Sequence, residues 1–225
     1  DFEESMDNVQ ALSGATGEEL ELLSYKAKEM GASTSKSAKE SADALGYMSL
    51  AGWDVNQMLT GLEPILRLSE GAQSDLAYTS DLVTDSMSAL WVEVNNLSRY
   101  LDIVAKAQSS ANTSATQMLE AYISCGGTLK NLNVSLEESA TWIGILANRG
   151  KKGAEAGNAF NSVLVNLTGG SSTARGAMEE LGVSAWDLDG IFIGIDATLK
   201  LLNDALATCT QEQKTKLQKN RDKNL

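Results

Sequence analysis

Residues 135–157 read SLEESATWIGILANRGKKGAEAG, the pattern of one amphipathic helix that ends in three closely spaced glycines. Ser135 caps the predicted helix start, and Glu138 stands three residues later, at the capping-box spacing. Ile143, Leu146 and Ala147 follow at helical intervals and predict a buried stripe. A glycine then supplies the left-handed residue that stops a helix. The three glycines are Gly150, Gly153 and Gly157.

The same pattern occurs 98 residues earlier in the chain. Ser37 and Glu40 repeat the cap. Leu45 and Met48 then repeat the apolar stripe, and Gly52 repeats the stop. We interpret this repeated pattern as a sign of two loosely repeated helical halves, at about residues 1–110 and 111–208, which an old duplication would explain. Convergence of two helices on one pattern is the alternative.

Other apolar residues also recur at helical spacing, and glycine or polar clusters separate the segments. A capping box is predicted at residues 16–19, and Gly31 is predicted to end the helix that follows it. Pro64, the single proline, is predicted to start a helix and not to interrupt one. Glycines at 126–127 are predicted to end a helix. Residues 191–195 are β-like in composition, but they are predicted to begin the last long helix. The sequence therefore predicts an all-α, glycine-punctuated domain of roughly ten helices without a significant sheet.

The composition supports a helical core made of small side chains. Hydrophobic residues make up 43% of the 225-residue chain, which is ordinary for a folded domain, but aromatic residues make up only 5%. Such a core is expected to form where helices approach closely. Three of the four tryptophans fall within or beside predicted apolar stripes and are expected to be core or helix-packing residues. The four are Trp53, Trp91, Trp142 and Trp186.

The charge of the chain argues against nucleic-acid binding. The formal net charge is −12, whereas phosphate contacts need clustered lysine and arginine. The one basic run, Lys214–Lys223, is interleaved with polar residues and is read as the start of a polar helical linker at 209–225. No run of 18 apolar residues occurs, so no transmembrane segment is predicted here. The first residues lack the basic and apolar regions of a signal peptide, and the abrupt ends favour a fragment of a longer protein.

No residue pattern in the chain predicts a catalytic, cofactor-binding or metal site. The absence of histidine removes the commonest general base and metal ligand. Cys125 and Cys209 form no CxxC pair and are expected to be two buried thiols in a reducing compartment. Residues 187–190 read DLDG, which lacks the later ligands of a calcium loop and predicts a turn. Carboxylate pairs such as Glu137 with Glu138 are expected to be solvated.

Several short motifs, in order, carry a resemblance to a known family. Residues 30–35 read MGASTS, 45–54 read LGYMSLAGWD, 80–85 read SDLVTD and 102–107 read DIVAKA. The set closely resembles the core region of tail tape measure proteins of long-tailed bacteriophages, prophages and phage-tail-like bacteriocins, over about Asp1 to Leu206. Two positions depart from the family pattern: Gly127-Thr128 stands where a proline and an alanine are common, and Gly157-Asn158 replaces Gly-Thr.

The resemblance implies a structural role. Such a protein threads the tail tube during assembly, sets tail length by its own length, and leaves the tube ahead of the DNA at infection. The implied partners are the tail tube protein, distal tail or baseplate hub proteins and tail assembly chaperones. The implied assembly is a homo-oligomer, for which a trimer is expected. The implied location is the virion tail, assembled in the host cytoplasm, and the acidic surface would suit a molecule that leaves a tube.

Within that family, residues 1–208 are expected to form a compact helical core domain. Its glycines are then expected to mark helix turns and close helix packing, and not a ligand loop. The predicted structural positions are Gly31, Gly52, Trp53, Gly150, Gly153 and Gly157.

Two other readings remain open at the level of sequence. One is a soluble helical adaptor or scaffold, unrelated to phage, that binds partner helices through its apolar stripes. The other is an enzyme fragment, because some tape measure proteins carry cell-wall hydrolase domains elsewhere in the chain. This segment has no Cys–His, Glu–Thr or zinc set, so we expect that it is not an enzyme.

Overall fold

A computed structural model describes residues 1–211 and residue 215. This part of the chain forms eleven α-helices and one short 3₁₀ helix, without a β-strand, so the all-α prediction is confirmed. The helices are α1 (Phe2–Ser13), α2 (Glu18–Ser33), α3 (Ala38–Leu50), α4 (Val55–Ala72), α5 (Leu76–Leu90), α6 (Leu97–Ser110), α7 (Ala115–Asn131), α8 (Leu136–Asn148), α9 (Gly153–Leu167), α10 (Ser172–Leu181) and α11 (Ile195–Thr208), and the 3₁₀ helix is Val94–Asn96.

The first nine helices lie in two layers. Helices α1, α3, α5, α7 and α9 pack side by side in chain order, and α2, α4, α6 and α8 form a second row against them. Each helix mainly contacts its neighbours in the row and the adjacent helices of the other layer, as in stacked helix-pair folds. Helices α10 and α11 pack on each other and on α9.

Side-chain caps set most helix starts. The hydroxyl of Ser37 accepts from the Glu40 N–H in a complete capping box. Ser135 accepts from the Glu138 N–H at 3.1 Å, but the box is not completed there, because Glu138 Oε1 accepts from the Ile195 N–H. The box predicted at residues 16–19 is wrong. Helix α2 begins after Gly17, whose φ of 56° turns the chain into the helix, and no side chain caps it.

The core between the layers is built from aliphatic and small side chains around two tyrosines. The rings of Tyr100 in α6 and Tyr122 in α7 lie 5.8 Å apart and are fully buried. The Tyr100 hydroxyl donates to Ser86 Oγ at 2.7 Å, so a polar atom deep in the core keeps a partner. Burial of these side chains is the main favourable term that holds the layers together.

Glycine often lies inside a helix in this fold and not at its end. Gly31 was expected to stop α2, but the helix continues to Ser33 because the backbone at Gly31 keeps a right-handed helical conformation. Its missing side chain makes room for the backbone of Ala38, since an added Cβ would lie 2.8 Å from Ala38 Cα. Gly126 and Gly127 likewise lie within α7, and a Cβ at Gly126 would collide with Ala89 of α5. The predicted helix ends at these glycines are therefore wrong.

Pro64 lies in the middle of α4 and does not start a helix, contrary to the prediction. Proline has no backbone N–H, so the helical hydrogen bond from position 64 to the carbonyl group of Thr60 is missing. Thr60 is exposed, so water can replace that bond. Leu62, Ile65 and Leu66 are fully buried on either side, and their packing keeps the helix continuous.

Residues 183–194 are the least regular part of the fold. Ile191 to Gly194 do not begin the last helix as predicted, because Phe192 forms an isolated bridge with Trp186 and Gly194 has a φ of 95°. Helix α11 starts at Ile195. The carboxylate of Asp187 accepts from the backbone N–H groups of residues 189 and 191, which makes residues 187–190 a turn.

The two copies of the repeated pattern both form helices, α3 and α8, and four corresponding positions are buried in both, although Met48 is buried and its counterpart Leu146 only partly so. Ser41, Leu45, Gly46 and Ser49 of α3 correspond, at the offset of 98, to Ser139, Ile143, Gly144 and Ala147 of α8, and all eight are buried. The two helices lie in different layers. Two repeated halves therefore remain a prediction, as does the polar linker at 209–225, whose basic run Lys214–Lys223 lies almost wholly outside the described residues.

Candidate functional site

Two of the predicted positions mark chain reversals. Gly52 follows α3 with a φ of 80°, and Gly150 lies between α8 and α9 with a φ of 93°. Both angles belong to the left-handed region that glycine adopts most readily. Trp53 follows Gly52 and packs its ring against Gly61 of α4, where an added Cβ would lie 3.1 Å from Trp53 Cη2.

The other two glycines of the 135–157 stretch belong to the next helix. Helix α8 ends at Asn148, Gly153 begins α9, and Gly157 lies in its second turn, so the stretch is not one helix that ends in three glycines. Gly157 lies against α7, where an added Cβ would be 2.7 Å from Ser124 Cβ and 2.9 Å from Ala121 Cα. The predicted positions thus lie at separate helix junctions and do not form one site.

The main concave apolar surface of the described residues lies between α6 and α8. The cavity has a volume of about 590 Å³. Its floor consists mainly of small and aliphatic side chains, among them Ile103, Ala107, Ala140, Gly144 and Ile145. Sequence reasoning missed this groove, although the positions on each helix follow the spacing of a single face.

Polar links close both ends of the groove between α6 and α8. Near the helix starts, Arg99 of α6 forms an ion pair with Glu137 of α8. Near the helix ends, the Asn112 N–H donates to Asn148 Oδ1 at 2.8 Å. The two helices therefore run parallel. The backbone N–H of Glu137, together with the Arg99 guanidinium, holds the pKa of the Glu137 carboxyl below its usual value.

The buried ionisable groups suit a structural role. Burial raises the pKa of the Cys125 thiol to about 12, and the pKa values of Tyr100 and Tyr122 also rise because their phenols are desolvated. A thiol with such a pKa is protonated at neutral pH and is a poor nucleophile. The expectation of two buried thiols holds for Cys125 but is wrong for Cys209, which is half-buried because it lies just past the last residue of α11.

The tryptophans also depart from expectation. Trp53 and Trp142 are partly buried and pack against the core. Trp91 is 74% exposed and Trp186 is 39% exposed, so two tryptophans, and not the expected three, pack against the core. Trp91 ends α5 in a left-handed conformation, and Trp186 lies in the irregular stretch before α11, which places both rings outside the helical stripes.

Within the described part of the chain, no cluster of three or more metal-ligating side chains occurs. No helix in the same part is both long and apolar enough to cross a membrane. The described surface carries an apolar groove between two helices, tight helix junctions and two exposed tryptophans.

Sequence comparison identifies the family. The model of the phage-related minor tail protein family matches residues 24–220. The chain belongs to this family. It is 32% identical over 216 residues to the "Tape measure protein" of Pneumococcus phage Dp-1, which covers 96% of this chain and 19% of that protein. It is 24% identical over 192 residues to the "Probable tape measure protein" of Escherichia phage P2, covering 84% of this chain and 24% of that protein.

The predicted resemblance to tape measure proteins is confirmed by these matches. The chain spans about a fifth and a quarter of the lengths of the two relatives. No solved structure matches this chain. Family membership makes the chain a structural phage tail component, which is the level of function that the comparisons support.

Proposed function

We propose that this chain is a compact segment of a tape measure protein, which helps set tail length, nucleates tail assembly and leaves the tube during DNA ejection. The observation that carries the proposal is the match to the phage Dp-1 tape measure protein over 96% of this chain. Its place would be in the tail tube or at the distal tip of the virion, after assembly in the host cytoplasm.

The fold supports a local role for this segment within a longer tape measure protein. A continuous helix of 225 residues would span roughly 340 Å, at about 1.5 Å per residue. Here the longest helix, α4, has 18 residues, and the chain folds back into two layers. A folded body of this kind adds far less to contour length than an extended helix. We therefore propose that flanking helical sequence sets most of the tail length, and that this domain adds little to that length and mainly nucleates assembly.

Tail length after in-frame deletion tests this division. Removing residues 1–208 from the full-length gene should abolish tail assembly or tip function, with no population of tails shortened by roughly 310 Å, the length of a continuous helix of 208 residues. Deleting an equal number of residues from flanking helical sequence is the matched control, and it should shorten tails in proportion. Infectious tails that are merely shorter after loss of residues 1–208 would refute the proposed role of this domain. Normal tails after both deletions would favour the adaptor reading.

The proposed partners are the tail tube protein, the distal tail or baseplate hub proteins and the tail assembly chaperones, with assembly as a homotrimer. The groove between α6 and α8 offers an apolar floor with closed polar ends, which suits a helical partner segment. Co-purification of tagged full-length protein from infected cells, with mass measurement of the complex, tests these partners. Recovery of monomer free of tail proteins would contradict the assignment.

The acidic surface would help the protein leave the tail tube. The net charge of −12 opposes adhesion to other acidic surfaces, including the following DNA. Asp7, Glu18 and Glu21 are exposed and suitable for substitution. Changing these three to lysine should slow ejection, with serine substitutions at the same positions as the milder control. Unimpaired assembly and ejection of the lysine variant would count against this role.

A further inference from the structure

A second cavity, of about 650 Å³, lies where α3, α4, α5 and α7 meet. Its volume is in the range of small-molecule binding sites. Unlike the groove between α6 and α8, it combines two aromatic rings with several polar side chains. The residues used below are Trp53, Gln57, Ser88, Trp91, Glu93 and Lys130.

Trp91 is held in an unusual backbone conformation at the rim of this cavity. It ends α5 with a φ of 58°, a left-handed position that glycine or asparagine occupies with less strain. The indole ring is 74% exposed and so gains little from burial in the core. The Lys130 Nζ lies 5.9 Å from the ring centroid and helps hold the ring in place. Helix termination alone does not explain a tryptophan here.

Trp53 supplies a second ring that the fold holds in a fixed position. It packs on the bare backbone of Gly61, with Cε3 3.3 Å from where a Cβ would stand. The ring is half-buried and contacts the core on one side. One aromatic surface of the cavity is therefore rigid before any ligand arrives, which reduces the entropy lost on binding.

Polar groups around the two rings are available to a ligand. The Ser88 hydroxyl and the Glu93 carboxylate are exposed and have no side-chain hydrogen bond or ion pair within residues 1–211 and 215. Gln57 uses its Oε1 to cap α4, where it accepts from the Asp54 N–H at 2.9 Å. The side-chain NH₂ group of Gln57 donates to no acceptor within residues 1–211 and 215. The cavity thus offers both donors and acceptors.

From these groups we propose that the cavity binds a neutral oligosaccharide, with a pyranose ring stacked on Trp91. The face of an indole carries negative charge density, which attracts the weakly positive C–H groups on the face of a sugar ring. Sugar hydroxyl groups both donate and accept, matching Glu93, Ser88 and the Gln57 amide. A phosphate-bearing ligand is disfavoured, because the Glu93 carboxylate lines the same cavity as Lys130 and the chain carries a net charge of −12.

Calorimetric titration of the 225-residue chain tests the proposal with four probes: cellotriose, maltotriose, chitotriose and a short oligothymidine. At least one trisaccharide should bind and shift the tryptophan fluorescence, whereas oligothymidine should not bind. The three sugars distinguish β-glucan, α-glucan and N-acetylated sources of the same ring chemistry. Absence of binding by all three trisaccharides would overturn the proposal, as would tighter binding of oligothymidine.

Variants at position 91 separate binding from folding. Trp91→Asn suits the left-handed backbone, so the melting temperature should stay the same or rise, while affinity for the sugar falls about tenfold or more. Trp91→Tyr keeps an aromatic face and should retain part of the affinity. Trp186→Phe changes an exposed tryptophan outside the cavity and should leave affinity unchanged. Equal sugar affinity in Trp91→Asn and the unmodified chain would refute the assignment.

Discussion

Replacing Gly157 with alanine adds one methyl group where α9 crosses α7. The new Cβ would lie 2.7 Å from Ser124 Cβ and 2.9 Å from Ala121 Cα, and it would overlap the Ala121 carbonyl oxygen. Ordinary carbon–carbon contacts lie at about 3.5–4.0 Å, so the two helices must separate by roughly 1 Å at this point. Backbone atoms form most of this contact, and a side-chain rotation therefore cannot relieve it.

Two effects of opposite sign set the expected magnitude. Alanine is favoured over glycine inside a helix by about 1 kcal/mol, and Gly157 has a right-handed helical backbone that alanine adopts without strain. Overpacking at a close helix contact costs about 1–3 kcal/mol or more, and a clash with backbone belongs at the upper end. We expect a net loss of about 2 kcal/mol, which lowers the melting temperature by roughly 4–8 °C. Valine at the same position should destabilise further through overpacking alone.

Gly127→Ala is the matched control. Gly127 lies within α7, is exposed, and has no atom within 4 Å of an added Cβ. The same chemical change should therefore raise stability by about 0.5–1 kcal/mol. Thermal unfolding followed by circular dichroism, together with urea titration, measures both variants. A melting temperature of Gly157→Ala equal to or above that of the unmodified chain would show that α7 and α9 do not touch here, and would refute the argument.

Three further predictions concern caps and buried groups. Ser37→Ala removes the cap of α3 and should cost about 1 kcal/mol, seen as a lower urea midpoint; Ser135 caps α8 in the same way and its alanine variant should cost a similar amount. Burial raises the phenol pKa of Tyr100 in the folded state, so stability is full below the unfolded value of about 10 and falls as pH rises through the folded pKa. The urea midpoint at pH 11 should thus lie below that at pH 8, and Tyr100→Phe should show a smaller drop; an unchanged midpoint in the unmodified chain would contradict this. Ellman's reagent should modify the half-buried Cys209 in the folded protein and reach Cys125 only on unfolding, while rapid reaction of both thiols would show that α7 is not packed as described.

Local patterns in the sequence were sufficient where neighbouring residues set the structure. The apolar spacing of residues 135–148 predicts α8, and the Ser37–Glu40 pair predicts the cap of α3, because both depend on atoms within one helical turn. The left-handed glycines at 52 and 150 follow from the same logic. Ordered family motifs along the chain then indicate the tape measure family, which the comparison with the family model confirms.

Predictions at single glycines and at Pro64 were wrong where a distant segment decided the outcome. Glycine often ends a helix, which is why helix ends were predicted at Gly31 and Gly126. In the fold, Ala38 and Ala89 pack against these two glycines, and both glycines lie inside helices. Pro64 remains within α4 because the buried residues beside it outweigh one lost backbone bond.

Features formed by more than one helix were not visible in the sequence. The groove between α6 and α8 and the cavity beside Trp91 each combine residues far apart in the chain. The exposure of Trp91 depends on a left-handed backbone angle that no spacing rule predicts for tryptophan.

The sequence by itself determined the helical class, the cap of α3, the left-handed turns at Gly52 and Gly150 and the family, since these depend on local periodicity, capping and ordered motifs. The tertiary structure alone decided which of the other glycines lie inside helices and let two segments touch. A glycine has no side chain to record its surroundings, so its role is fixed by the backbone that lies against it, as Ala121 lies against Gly157.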